Sequence, residues 1–250
     1  MCTVSWFATD SGYELFFNRD ESRKRLQASP PKVLFSNDVE FLSPTDEQAG
    51  GSWIVSNEFG ITICLLNLYL DSGEPLINQP TSRGSIVRML ADIQHLDQVH
   101  SRLSQYDLNQ FLSFRVFVID RKLNNQLYIW DGHSLDVEQN VYAPKSSSSV
   151  DTQKVVETRK KRFVELGLDA STDRKDFLAF HRGHEPDKNY SVCVHREHTK
   201  TVSLSHIRVS EDRIDFDYYA DSPCVTTVPH RTSIDTVLEN KVLQYQSDVA

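Results

Sequence analysis

No two of the four cysteines, Cys2, Cys64, Cys193 and Cys224, stand in C-x-x-C spacing, which leaves zinc-ribbon and thioredoxin-type chemistry without support. There is no C-x-x-C-H for covalent haem attachment, no phosphate-binding loop, no dinucleotide-binding glycine pattern and no G-x-S-x-G elbow. Apolar runs are strand-sized, far short of the roughly 20 residues of a membrane helix. The start Met-Cys-Thr-Val-Ser-Trp lacks a basic segment followed by an apolar one. The expectation is a soluble, cytoplasmic protein with reduced thiols and no stable membrane insertion. Positive charge is also short: 27 Lys and Arg against 35 Asp and Glu give a formal charge of −8. Such a surface repels phosphate backbones, so nucleic acid is not expected as a partner. A chain of 250 residues buries enough surface to need neither a disulfide nor a structural metal. With no internal repeat, it reads as one domain over 1–250 with a peripheral segment from about 229, its oligomeric state open.

What is present is a succession of strands, helices, strands, helices and strands. Cys2 to Ala8 and Tyr13 to Asn18 flank the turn Thr9-Asp10-Ser11-Gly12, which predicts an antiparallel hairpin. The polar, Pro-containing stretch 22–50 predicts a long loop. A second hairpin is expected from Ser52–Asn57 and Ile61–Asn67. Helices follow from Ser82, as a cap, to Ile93 and from Asp97 to Gln105. Phe114–Asp120 and Gln126–Trp130 read as paired strands, and Ser146–Ser149 as a loop. Asp151–Leu166 predicts a helix with Val155, Val156, Phe163 and Leu166 inward and the run Arg159-Lys160-Lys161-Arg162 on a solvated face. A short helix at Asp176–His181 and strands at Tyr190–Val194, Thr201–Val209 and Ile214–Tyr219 complete the order. Without regular βαβ alternation, the fold class is α+β: two antiparallel sheets with helices outside.

The first hairpin brings Cys2 near Asn18, Arg19 and Asp20. Removal of the initiator methionine would leave Cys2 with a free α-amine, whose pKa near 8 lies beside a thiol near 8.5. That amine can take the thiol proton, so nucleophile and base reside on one residue. Arg19 would favour the thiolate or hold a substrate carbonyl or carboxylate, and Asp20 would fix the ammonium. Asn67, ending its own strand, could donate to a developing oxyanion. An ordinary polar turn with exposed ion pairs accounts for Asn18-Arg19-Asp20-Glu21 equally well on spacing alone.

Met1-Cys2, Asn18-Arg19-Asp20-Glu21, Gly50-Gly51-Ser52-Trp53, Leu66-Asn67 and Arg83-Gly84 occur in the order of the NRDE family, also called the transport and Golgi organization protein 2 family. The chain resembles bacterial-type members over its first hundred or so residues, and Ser191-Val192-Cys193-Val194-His195 is similar as well. The resemblance implies a fold like that of the N-terminal-nucleophile hydrolases, a four-layer αββα sandwich. It also implies a start like that of the bile-salt and penicillin V amidases, with Cys2 as nucleophile, Arg19 as guanidinium, Asp20 as carboxylate and Asn67 as oxyanion donor. Asn18, Glu21, Trp53 and Arg83 are expected to bind the ligand. Those hydrolases use a further Asn where Lys145–Val150 here offers only serines. The family has been implicated in haem movement and in lipid and acyl-CoA homeostasis. A haem-trafficking protein, with haem as cargo, is therefore the leading expectation, and an N-terminal cysteine amidohydrolase of linear amides the alternative.

A haem carrier would draw axial ligands from His, Cys, Met or Tyr. His181 and His184, in His-Arg-Gly-His, and His195 and His198, in His-Arg-Glu-His, are candidates, each next to an Arg that could pair with a propionate. Their default reading is as solvated loop and strand-end residues. No Cys or carboxylate completes a zinc set there at familiar spacing, so no metal site is expected. Trp6, Trp53 and Trp130 read as core or pocket-wall aromatics.

Overall fold

The computed structural model describes residues 2–70, 73 and 77–237. In chain order the strands and helices open with β1 (Cys2–Thr9), β2 (Gly12–Ser22), β3 (Ser29–Ser36), β4 (Val39–Thr45), β5 (Ile54–Asn57) and β6 (Thr62–Asn67). Helices α1 (Gly84–Met89) and α2 (Asp97–Ser104) precede β7 (Phe114–Ile119), β8 (Asn125–Trp130), β9 (Leu135–Gln139) and β10 (Lys145–Ser147). Then come α3 (Thr152–Glu165), α4 (Arg174–Arg182), β11 (Thr199–Val209), β12 (Arg213–Tyr219) and β13 (His230–Asp235). One sheet runs β10-β1-β2-β11-β12-β13 and the other β3-β4-β5-β6-β7-β8-β9, with neighbours antiparallel throughout.

Strand β2 shows why there are four layers. Its side chains are buried on both faces, so something must cover each side. Tyr13, Leu15 and Phe17 pack between the sheets with Leu42, Ile54, Cys64 and Phe117. Phe16 points the other way, into a cluster with Phe163 of α3 and Phe177 and Phe180 of α4. On the far side, Ile86 and Val87 of α1 and Val99 and Leu103 of α2 cover Val55, Ile63 and Val116 of the second sheet. The result is the expected αββα sandwich. No helix among the described residues is long and apolar enough to cross a membrane.

Several local expectations are corrected. Residues 29–45 form a hairpin rather than a loop. Asn37 and Asp38, at φ 45° and 64°, make its two-residue turn, and Pro30-Pro31 is tolerated because β3 is an edge strand. The helix expected from Ser82 to Ile93 is only α1, and Ser82 gives it no side-chain cap. It stops where the backbone tightens to i→i−3 bonding, Ala91 to Arg88 and Ile93 to Leu90, and Asn57 Nδ2 takes up the Ala91 and Ile93 carbonyls at 3.0 and 2.7 Å. Residues 190–194 form no strand, since the carbonyls of Ser191 and Val192 accept from the side chains of Arg159 and Asn18. Ser146 and Ser147 lie in β10 instead of a loop. In α3 the solvated-face reading fails for Arg159, which is fully buried, one turn from Val155 and Phe163. Leu166, expected inward, is exposed. Beyond Pro229, His230–Asp235 adds the edge strand β13, and 238–250 lie outside the described residues.

Two glycines set how α1 meets the second sheet. A Cβ on Gly51 would lie 2.6 Å from the Gly84 carbonyl carbon, and one on Gly84 would lie 2.9 Å from the Ser52 nitrogen. This backbone-to-backbone approach is sealed by the Ser52 N–H donating to the Gly84 carbonyl at 3.1 Å. Gly84→Ala and Gly51→Ala should each cost about 1–3 kcal/mol, the cost of overpacking. A lowered urea midpoint at constant slope reports it. An unchanged midpoint would mean that the segment moves freely off the sheet.

Candidate functional site

The register of the first sheet builds the site. Cys2 pairs with Arg19 on one side and with Ser147 on the other. Its side chain faces the space between the sheets, in the same row as Val4. Its backbone nitrogen donates to Ser147 Oγ at 3.1 Å. Burial pushes the thiol above its ordinary value; the charge of Asp20 adds to the rise, while Arg19 and a backbone hydrogen bond from Asp20 oppose it. The thiol borders a cleft of about 370 Å³ whose wall also includes Arg19, Glu21, Trp53, Asn67 and Arg83.

Arg19 is held from several directions. Its Nη2 donates to Asp46 Oδ2 at 2.6 Å, lies 3.4 Å from Glu21 Oε2, and the guanidinium sits 4.2 Å from the centroid of the Trp53 ring. Arg25 shares the Asp46 carboxylate at 2.9 Å. Asp46 is itself fixed, because its Oδ1 accepts the backbone N–H groups of Gln48 and Ala49, both at 3.1 Å. The buried indole nitrogen of Trp53 has no partner among the described residues, which leaves a donor in the cleft wall. Across the cleft, Asn67 ends β6 and its Nδ2 donates to Tyr69 Oη at 3.1 Å.

Asp20 is tied from behind. Thr201 Oγ1 donates to its Oδ1 at 2.6 Å, and Arg159 Nη2 lies 3.4 Å from its Oδ2. The Arg159 guanidinium also donates to Thr3 Oγ1 at 2.5 Å and to the Ser191 carbonyl at 3.0 Å. Both side chains of the ion pair are fully buried. Asp20 thus reaches the cleft as part of its wall while its carboxylate is engaged by Thr201 and Arg159.

The structure therefore brings together Cys2, Arg19, Asp20, Glu21, Trp53, Asn67 and Arg83. Asn18 is not among them. Successive strand residues face opposite ways, and Asn18 turns toward the helices, donating to the His181 and Val192 carbonyls at 2.8 and 3.0 Å. The haem-ligand candidates also lie outside the cleft wall. His181 is fully buried with both ring nitrogens engaged, by Asn18 Oδ1 at 3.0 Å and Ser5 Oγ at 2.7 Å. Burial, reinforced by Arg159, pushes its pKa down to about 3, so the ring is neutral and has no nitrogen to spare. His198 is exposed beside Glu197. His184 and His195 meet each other and two cysteines, Cys193 and Cys224, although no such ligand set is legible in the local spacing. Sequence reasoning missed Ser147, Asp46 and Arg159. The four-serine run was the signal for the first, and the i, i+4 relation of Arg159 to Val155 for the last.

In the chain that keeps Met1, alkylation of Cys2 by iodoacetamide should rise with pH along a curve whose midpoint lies above the roughly 8.5 of a free thiol. Arg19→Gln removes a charge that favours the thiolate, so the midpoint should climb further. Peptide mass spectrometry at Cys2 gives the rates. A midpoint equal to that of free cysteine would contradict this account of the site.

A sequence profile described as "Transport and Golgi organisation 2" matches residues 1–228. A search of curated proteins by sequence finds no match. Among solved structures, a penicillin V acylase from Agrobacterium tumefaciens aligns with TM-score 0.53 at 10% identity, covering 94% of this chain and 86% of its own. A Caenorhabditis elegans ortholog of N-acylethanolamine-hydrolyzing acid amidase aligns with TM-score 0.59 at 12% identity, covering 83% and 92%. A mutant of the conjugated bile acid hydrolase from Clostridium perfringens gives 0.51 at 13% identity, covering 96% and 93%. At these identities the likeness concerns the fold.

Proposed function

The chain belongs to the Transport and Golgi organisation 2 family, and from that premise and the geometry of the cleft we propose that it is an N-terminal cysteine amidohydrolase acting on a linear, non-peptide amide. The observation that carries the reading is the register that sets the Cys2 thiol and nitrogen between Arg19 and Ser147, on a cleft that also holds Asn67. Neighbours of the same fold named as an acylase, an acid amidase and a hydrolase support it.

In this mechanism the initiator methionine is removed and the α-amine of Cys2 takes the thiol proton. The sulfur attacks the amide carbonyl carbon, and the oxyanion is held by Asn67 Nδ2. The C–N bond breaks as the α-ammonium returns its proton to the leaving amine. Water, deprotonated by the same amine, then cleaves the thioester. Ser147 Oγ, which accepts a hydrogen bond from the Cys2 nitrogen, orients that base in place of an Asn. Arg19, held by Asp46 and Trp53, offers a positive field to the thiolate and to an anionic part of the substrate. The four free thiols fit a cytoplasmic setting.

Turnover of chromogenic N-acyl anilides tests the proposal, alongside the intact mass of the purified protein. Loss of Met1 is expected, with Cys2→Ala abolishing turnover and Asn67→Ala lowering kcat by about 10²–10³. A retained Met1, or activity that survives Cys2→Ala, would sink the mechanism.

Haem carriage is a second reading with its own supporting observation: the cleft places a thiol, an established type of haem ligand, near Arg19, Arg25 and Arg83, cations suited to propionates. Haem titration of the purified protein should then give a saturable Soret shift that Cys2→Ala changes. No saturable shift at micromolar haem would refute it.

A further inference from the structure

Away from the cleft, three separated segments converge on one point. His184 follows the C-terminus of α4, Cys193 and His195 lie in the segment before β11, and Cys224 follows β12. We propose that these four side chains form a closed tetrahedral site for a single zinc ion.

The geometry supports four-coordinate binding. His195 Nε2 lies 3.6 Å from Cys193 Sγ and 3.3 Å from Cys224 Sγ. The His184 and His195 rings are 4.9 Å apart between centroids, and all four ligand atoms fall within 4.8 Å of one another. A tetrahedral ion bound at about 2.3 Å to sulfur and about 2.1 Å to nitrogen separates its ligands by roughly 3.3–3.8 Å. The four side chains already approach those separations and need only a small contraction. The two sulfurs and two imidazoles are a donor set suited to a structural zinc. His184 Nδ1 is hydrogen-bonded to the Cys193 carbonyl at 2.9 Å, which fixes that ring and leaves Nε2 as its ligating atom.

The surroundings supply an entry path and a chemical balance. His184 is exposed and His195 and Cys224 are half-buried, whereas Cys193 is buried. Burial and the neighbouring Cys224 push the Cys193 thiol up, and burial and nearby cations push the His195 imidazole down. In the metal-free site the Cys193 thiol is therefore protonated and the His195 ring neutral. Binding releases the thiol protons to solvent and forms two Zn–S and two Zn–N bonds, with no change in oxidation state.

The site is placed to brace the cleft from behind. Between Cys193 and His195, the Val194 N–H donates to Thr201 Oγ1, whose own proton goes to Asp20. One residue before Cys193, the Val192 carbonyl accepts from Asn18, and the Ser191 carbonyl accepts from Arg159. An ion tying this segment to α4 and to the turn after β12 would hold the Ser191 carbonyl that anchors Arg159 and the Val192 carbonyl that anchors Asn18.

The test uses the full chain, purified under reductant, stripped with chelator and titrated with cobalt(II). A saturable spectrum at one equivalent is expected, with the d–d bands of a tetrahedral ion and thiolate charge transfer, and zinc should displace it. Cys224→Ser and His184→Ala, at half-buried and exposed positions, should weaken zinc binding by more than the roughly 10–100-fold that loss of an outer-shell partner costs. Cys2→Ala should keep the full cobalt spectrum, separating this site from the cleft and its proposed chemistry. Absence of a saturable spectrum in the reduced wild-type protein would overturn the proposal. So would loss of the spectrum in Cys2→Ala, or a Cys193–Cys224 disulfide in the native protein as isolated.

Discussion

Asp20 and Arg159 form an ion pair with no solvent exposure on either side chain. Two charges in such a place lose several kcal/mol of hydration each, and their attraction offsets that only if the remaining hydrogen-bonding groups are also met. Here they are met by Thr3, Thr201 and the Ser191 carbonyl, drawn from β1, β11 and the segment before β11. Because α3 supplies the arginine, the outer helical layer is coupled to the strand that carries the cleft residues. Removing either partner would strand a buried charge, at a cost of about 3–5 kcal/mol. The positions of Cys2, opposite Arg19, and of the α3 layer are consequently parts of one arrangement.

The alternation of a strand divides Asn18-Arg19-Asp20-Glu21 into two tasks. Arg19 turns to the cleft, where Asp46 and Trp53 immobilise it. Asn18 and the carboxylate of Asp20 turn to the helices, where they secure the His181 carbonyl and Arg159. Four consecutive polar residues thus serve a working face and a supporting face, and β11 alongside keeps both in place. Burial on both sides makes the run sensitive to register, since a slip of one residue would exchange the two faces.

Much of this was legible in sequence, for local reasons. The Thr9–Gly12 turn is short and rich in turn-forming residues, so it placed Cys2 beside Asn18, Arg19 and Asp20 without any knowledge of the second sheet, and the register narrows this to Arg19. Asn67 could be placed at a strand end by its apolar run. The failures have equally physical causes. Pro30-Pro31 suggested a loop because proline is excluded from sheet interiors, yet β3 is an edge. Arg159 was hidden within four basic residues, and its burial depends on an acid on a distant strand. The meeting of His184 and His195 with Cys193 and Cys224 depends on the packing of α4, the segment before β11 and the turn after β12, and no spacing rule anticipates it.

The pairing of β10 with β1 joins residues 145 positions apart at the Cys2–Ser147 contact. That separation has a meaning in time. During synthesis the hairpin of β1 and β2 can form early, but the strand that completes the other side of Cys2 emerges only after more than half of the chain. Until then the nitrogen of Cys2 lacks its serine acceptor and stands on an open sheet edge. The order of translation thus leaves an interval in which that atom is accessible to other enzymes, and the folding of β10 ends it.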